Sequence, residues 1–299
     1  MEFFKQPNID FMGKRRWAFV FSGALILLSL VVLFLHGGPR YGIDFTGGNL
    51  VQIHVEPHLD IAKIRGVVAS LGISGAEVQN FGEANEYLIK YKEDVDPSVI
   101  QKALEEKYQV QVRIDRTEKV GPRIGEEIKR QAIWAVSIGL LLMLIYITIR
   151  FNFEFGVGAV LALFHDVLIT LGIFTLLNRE VTSAIVAALL TIVGYSINDS
   201  IVVSDRIREN SKRITPKTPI ERLIEIFNRS INETLSRTVI TSLTTLLVLI
   251  ALLVFGGPVI FDFALALTIG VVVGTYSSIF VVASLVVEWE GLKRRKPKA

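Results

Sequence analysis

The sequence predicts an α-helical polytopic membrane protein of six transmembrane helices, with one α+β domain between the first two spans. Three observations carry that reading. Of 299 residues, 51% are hydrophobic and only 20% charged, and the mean hydropathy of +0.49 exceeds what a water-soluble domain of this size needs. The charges gather in blocks separated by apolar runs too long for core strands or helices, which excludes a disordered chain and a soluble enzyme. One long polar segment alternates strand and helix patterns. Cysteine is absent, so there is no disulfide framework, thiolate metal site or thiol nucleophile, and cysteine usage says nothing about compartment.

About 20 apolar residues cross bilayer hydrocarbon as a helix. Runs near that length cover Trp17 to Leu35, Ala132 to Ile149, Phe155 to Leu177, Val181 to Val203, Val239 to Phe255 and Phe263 to Val287. Lys and Arg in short flanks resist translocation and so set orientation. Threading from a cytoplasmic N-terminus places Lys14, Arg15, Arg16, Arg150, Arg206, Arg208, Lys212, Arg213, Lys217 and the run Lys293 to Lys296 inside, leaving Arg179 in the short outer turns. The expected layout is a cytoplasmic N-terminus over 1–16, a first span over 17–35, an outer domain with its linker over 36–131, spans two to six over 132–287 with a cytoplasmic loop at 204–238, and a basic cytoplasmic tail over 288–299. Trp17 and Trp289 fall at interface depth. The first span runs directly into His36, Gly37, Gly38 and Pro39 without a small-residue cleavage pattern, and reads as an uncleaved signal anchor.

Within the outer segment, Leu50 to Val55, Glu77 to Phe81, Tyr87 to Tyr91 and Val110 to Ile114 read as strands, and Asp60 to Leu71 and Pro97 to Tyr108 as helices. Asp96 before Pro97 supplies an N-cap followed by a first-turn proline. The order βαββαβ is the ferredoxin-like arrangement, which by itself says nothing about function. Gly121, Pro122 and Gly125 in the stretch from Val120 to Gln131 read either as a hinge between domain and membrane or as a plain linker. In the inner loop, Thr218-Pro219-Ile220-Glu221 fits a capping box with proline at the first helical position. The helix it starts repeats Ile220, Leu223, Ile224, Phe227, Ile231 and Leu235 at helical spacing, the pattern of a helix lying along the cytoplasmic interface.

An ionisable side chain inside a span costs roughly 2.5 to 3.5 kcal/mol on insertion, so it must face inward or find a partner. His165 and Asp166 fall near the middle of the third span. Asp199 lies toward the cytoplasmic end of the fourth, four residues before Val203 and so roughly 6 Å along the axis. At 100° per residue, Thr191, Tyr195, Asn198 and Asp199 share about a third of the helix circumference, a polar stripe that must face protein or a wet cavity. Arg237 opens the fifth span as either a cationic partner for Asp199 or an ordinary positive-inside flank. For Asp166 the competing reading is a structural hydrogen bond with His165 or Thr170. Burial raises the proton affinity of a carboxyl and a nearby cation lowers it, so movement between Arg237 and Asp199 would switch proton binding. Gly270 and Gly274, followed by Ser277 and Ser278, permit close helix packing.

The segments VGYSINDSIVVSDRIREN (Val193 to Asn210), GIDFTGG (Gly42 to Gly48), RTVITS (Arg237 to Ser242) and GTYSSIF (Gly274 to Phe280) closely resemble SecF sequences of the SecD/SecF family, a branch of the resistance-nodulation-division (RND) superfamily. The resemblance covers essentially the whole chain. It implies a proton-motive-force-driven accessory of preprotein export in the bacterial cytoplasmic membrane, acting after the motor ATPase has loaded the channel. It implies SecD as partner, the SecY/SecE/SecG channel and indirectly SecA as neighbours, membrane lipid as surroundings and an unfolded preprotein as client of the outer domain. By motif position it makes Asp199 the essential intramembrane carboxylate and Arg237 the essential arginine, and it adds Asp166, of less defined role, to the same proton relay. Drug-efflux relatives carry twelve spans and paired aspartates, whereas this chain has six and places Asn198 beside a single Asp199. It therefore looks like half a pump.

Two other readings compete. Asp166 and Asp199 on consecutive spans could form an intramembrane aspartyl protease, although its two carboxylates must share a proton at one depth. The chain could instead be a purely structural subunit of a translocon assembly. No nucleotide-binding glycine loop is present, and His36, His54, His58 and His165 are dispersed, with His54 and His58 reading as surface residues. The expectation is a non-enzyme with no bound metal, no nucleic-acid partner and no cofactor beyond the proton as coupling ion.

Overall fold

The computed structural model describes residues 7–82, 85–212, 214–215 and 218–295, so that Arg213, Lys217 and Lys296, used above for orientation, lie outside the described residues. Among the described residues, six helices are long and apolar enough to cross a membrane. In chain order they are α1 (Arg15–Leu35), α5 (Pro122–Arg150), α6 (Phe153–Leu176), α7 (Ser183–Asn210), α8 (Ile220–Phe255), and a composite of α9 (Gly257–Ser277), a π turn (Ser278–Val282) and α10 (Ala283–Arg295). The start of α1 and the last turns of α10 lie on one side of this bundle. Arg15 Nε pairs with Glu288 Oε1 at 2.7 Å, and the segment before α1 docks on α8, where Asn228 Oδ1 accepts from Phe11 N and Asn232 Oδ1 from Ile9 N, both at 2.8 Å.

On the opposite side sits the α+β domain. After β1 (Arg40–Tyr41) and a short α2 (Ile43–Thr46) come β2 (Gly48–Glu56), α3 (Ile61–Ser70), β3 (Glu77–Asn80), β4 (Glu86–Tyr91), α4 (Pro97–Tyr108) and β5 (Gln111–Val120). The antiparallel sheet has the order β3-β4-β2-β5, the ferredoxin-like topology read from the sequence. Period-two alternation in β2 buries Val51, Ile53 and Val55 against Ile64 and Val67 of α3 and Ile100 and Leu104 of α4. The last strand runs six residues beyond Ile114. Its far half, Asp115 to Val120, pairs with Gly48 to Gln52 through a bulge, yet is mostly exposed, so no apolar alternation betrays it.

Asp96 caps α4 as expected, accepting from Ser98 N at 2.8 Å, and the Ser98 hydrogen bonds hold its carboxyl below the ordinary 3.8. A carboxyl whose folded pKa is depressed adds stability above its unfolded pKa and loses it as pH falls through the folded value. The stability difference between wild type and Asp96→Asn is therefore expected to be constant near neutral pH and to shrink on acidification below about 4. Acid titration of both proteins followed by circular dichroism checks this; a difference independent of pH contradicts it.

The connection between domain and bundle is shorter than the sequence suggests. Residues 122–131 form the first turns of α5, with Gly121 at the N-cap and proline at the first position. Gly125 is a close-approach residue and not a hinge: a Cβ there would lie 2.9 Å from the Phe45 carbonyl oxygen and 3.2 Å from Gly47 N. The inner-loop helix also differs from expectation. It is continuous with the fifth span, and Leu223, Phe227, Ile231 and Leu235 pack into a core with Phe11, Met12 and Phe155 instead of lying on the interface. Nor is there a Thr218 capping box. Pro219 occupies the N-cap position with no side-chain cap, because the Thr218 hydroxyl accepts from Thr215 N at 3.0 Å.

At the centre of the bundle α9 touches α6, α7 and α8. Its approach to α7 requires glycine. A Cβ at Gly270 would lie 2.9 Å from Ile192 Cγ2 and nearer still to the rest of that side chain, and one at Gly274 3.0 Å from Ser196 Cβ. Gly270→Ala is expected to cost about 1–3 kcal/mol through overpacking, with partial rescue by Ile192→Ala. Thermal unfolding in detergent of the single and double variants reads it; equal losses in both contradict it.

Candidate functional site

Two carboxylates lie inside the bundle, and their surroundings differ. Asp166 on α6 is fully buried. Its Oδ1 is 2.8 Å from His165 Nδ1, and its Oδ2 accepts from Ser196 Oγ of α7 and Ser277 Oγ of α9, each at 2.7 Å. Thr170 contributes to the backbone only, donating to the Asp166 carbonyl at 2.7 Å. One side chain thus ties three helices together, and the glycine at 274 brings α9 close enough to do so. His165 stacks on Tyr276, with ring centroids 6.1 Å apart, and its buried Nε2 has no hydrogen-bond partner among the described residues.

Asp199 on α7 is equally hidden, 3% exposed, but its Oδ2 has no hydrogen-bond partner among the described residues. It stands three residues beyond Ser196, about 4.5 Å nearer the side of the chain termini. Arg237 on α8 is exposed at the bundle surface. The ion pairs within 4 Å among the described residues do not include Arg237 with Asp199. Nor does a hydrogen bond link Asp166 with Asp199 Oδ2 among the described residues, whereas the paired carboxylates of an aspartyl protease share a proton.

The stripe of α7 faces two ways. Thr191 and Asn198 are exposed, and the Thr191 hydroxyl returns to Ala187 O of its own helix at 2.8 Å. Tyr195 is half-buried, donating from its hydroxyl to Ser242 Oγ at 3.2 Å, which in turn lies 2.7 Å from Thr275 Oγ1. Only Asp199 of the four is buried. Thr191, Asn198 and Arg237 therefore place hydrogen-bonding groups on the membrane-facing surface of this chain, where lipid offers them nothing.

The GIDFTGG segment reaches the same helix from the other end. Arg40–Tyr41 pairs in parallel with β6 (Glu180–Val181) in the turn between α6 and α7. Asp44 Oδ2 accepts from Ser183 N at 2.7 Å and Ser183 Oγ at 2.5 Å, so a residue of the outer segment satisfies the first turn of the helix that carries Asp199. Lys90 of β4 adds a pair to Glu180 at 2.6 Å. Asp44→Ala is expected to cost about 1 kcal/mol, the value of a lost cap, with Asp44→Asn nearly neutral; melting temperatures of the two variants compare them, and equal losses contradict the capping role. Nothing in the spacing of Asp44 marked it, because its partner lies 139 positions away.

Of the histidines, His58 is held by Tyr87 and Asn85. His54, read as a surface residue, lies 3.0 Å from Glu56 and shares a patch with Glu86 and Asp115, three possible ligand atoms within 4.8 Å of one another. Strand pairing assembles this group, so spacing along the chain could not show it.

A six-helix bundle that buries carboxylates between its spans and carries a ferredoxin-like domain between the first two defines a polytopic membrane protein. Comparison with known proteins narrows this. The family model for protein export membrane protein SecD/SecF, C-terminal, matches residues 99–292, and that for the SecD/SecF GG motif matches residues 32–57. The chain belongs to the SecD/SecF family. Protein translocase subunit SecF of Calditerrivibrio nitroreducens is 43% identical, with 96% of each chain covered. Protein translocase subunit SecDF of Thermus thermophilus is 46% identical over 97% of this chain but only 39% of its own length. The crystal structure of SecDF, a translocon-associated membrane protein from Thermus thermophilus, superposes with a TM-score of 0.85 at 44% identity, covering 95% of this chain and 39% of that one.

Proposed function

We propose that this chain is the SecF-like half of a proton-driven protein-export machine and that a SecD partner supplies the other half. Membership of the family supports a role in protein translocation, and the SecDF relative, in which a homologous stretch is part of one longer chain, supports association with SecD. The observation that carries the energetic part is Asp199: buried inside the bundle, with one oxygen lacking a hydrogen-bond partner among the described residues. A carboxyl so placed gains a proton at low energetic cost and loses it when a cation approaches. Each charge crossing the field is worth roughly 2.3 kcal/mol per 100 mV, enough to bias a conformational equilibrium.

In this reading Asp199 and Arg237 form the proton relay, with Thr191, Tyr195 and Asn198 as the polar face on which the SecD half closes. Asp166 acts mainly as the knot holding α6, α7 and α9. Protonation of Asp199 reaches the α+β domain through α7 and its Asp44 cap, and the domain acts on an unfolded preprotein leaving the SecY/SecE/SecG channel that SecA loads. The chain sits in the bacterial cytoplasmic membrane with both termini inside, since Lys14, Arg15, Arg16, Arg150, Arg206 and Arg208 share the terminal side. Proton binding is the only cofactor chemistry invoked, and no enzymatic step is needed.

Preprotein export into inverted membrane vesicles, with and without an imposed proton gradient, tests the proposal. Vesicles holding this chain and SecD should export faster with the gradient, and vesicles lacking this chain should lose that acceleration. Equal acceleration in both removes the chain from energy coupling.

A further inference from the structure

We infer that the cleft between the terminal-side ends of α6, α7, α8 and α10 binds the headgroup of an anionic phospholipid, with the glycerol and first methylenes resting on its apolar floor. The cleft encloses about 390 Å³. Its floor is the buried set Phe155, Ile207, Leu223, Phe227 and Val286, which suits hydrocarbon. Its rim carries Arg208, Lys212 and Arg294 against Glu154 and Glu290.

The cations are not all spent on the acids. Glu154 is taken by Lys293, outside the rim, while Glu290 sits only loosely between Lys293 at 3.9 Å and Arg294 at 3.8 Å. Arg208 is engaged by Asp205 at 2.7 Å and the Arg150 carbonyl. Lys212 forms no ion pair or side-chain hydrogen bond with any described residue. Arg294 donates through Nη1 to the Thr218 carbonyl, and its Nε faces Glu290 Oε2 at 3.8 Å, beyond hydrogen-bond distance. A phosphodiester in the cleft meets the Lys212 ammonium, with the Arg294 guanidinium beside it on the rim.

Depth fits a lipid and not a soluble ion. Trp289, one residue before Glu290, meets Phe153 edge to face with centroids 6.3 Å apart, the placement of an interfacial aromatic. Basic pockets between spans at that level are sites of anionic headgroups, and each Lys or Arg there contributes about 1 kcal/mol. A floor of aromatic and aliphatic side chains beneath a phosphate-sized cationic rim has no use for a free phosphate.

Native mass spectrometry of the full chain in nonionic detergent tests this with phosphatidylglycerol, phosphatidylcholine of the same acyl chains, and inorganic phosphate as probes. Phosphatidylglycerol should bind about thirtyfold more tightly than phosphatidylcholine, the preference expected from two cations, and inorganic phosphate should not compete. The double variant Lys212→Gln/Arg294→Gln should lose the preference. Ser211→Trp, which fills the cleft while keeping its charges, should lose phosphatidylglycerol binding as well, and it reads the site even where the double variant does not fold. Equal binding of the two lipids, competition by inorganic phosphate, or an undiminished preference in the folded variants overturns the inference.

Discussion

Asp199→Asn is expected to reduce gradient-driven export to the level measured without a gradient, while leaving the bundle as stable as wild type or slightly more so. The two halves of that expectation rest on one geometric fact. Asp199 is buried, and its Oδ2 satisfies no donor among the described residues, so the amide breaks no hydrogen bond to that oxygen. It also removes the cost of holding a charge out of water. What is lost is the ability to take up and release a proton, and with it the response to Arg237. Export rates and melting temperatures measured on the same preparations check both halves. A mutant that exports normally contradicts the coupling role; one that falls apart makes Asp199 a structural residue.

Asp166→Ala is expected to have the opposite profile, with a stability loss of about 3 kcal/mol or more. Removing that carboxyl strips the acceptor from Ser196 Oγ and from His165, and each buried group left unsatisfied costs about 1–3 kcal/mol. Ser277 suffers less, because its hydroxyl also reaches the Gly274 carbonyl at 3.1 Å. Asp166→Asn retains an acceptor oxygen and should recover part of the loss. Thermal unfolding in detergent of both variants gives the ranking. A melt of Asp166→Ala unchanged from wild type contradicts the knot, and a selective loss of gradient response in stable Asp166→Asn moves Asp166 from structure to proton path.

The elements that declare themselves by local pattern were legible in the sequence. The spans follow from apolar length, β2 from its alternation, and α4 from Asp96 and Pro97. Elements held by distant partners were not. The far half of β5 is polar on both faces and exists because β2 supplies a ladder, and the start of α8 packs inward because residues 9–12 and α6 cover its apolar face. The site divides in the same way. Asp166 and Asp199 are conspicuous as charges in hydrocarbon, but their roles depend on neighbours 30 and 111 positions away from Asp166. Periodicity grouped Thr191, Tyr195, Asn198 and Asp199 on one arc, yet could not say that the bundle covers only Asp199 and leaves Thr191 and Asn198 outward. That division is set by where α8 and α9 pack.

The central claim is that Asp199 carries protons, and the direct measurement is proton influx. Proteoliposomes holding this chain with SecD and an internal pH-sensitive dye are given an imposed gradient, and wild type is compared with Asp199→Asn at equal protein content. The account predicts acidification of the lumen through wild type that falls to the rate of protein-free liposomes in the variant. Equal influx through both proteins contradicts it.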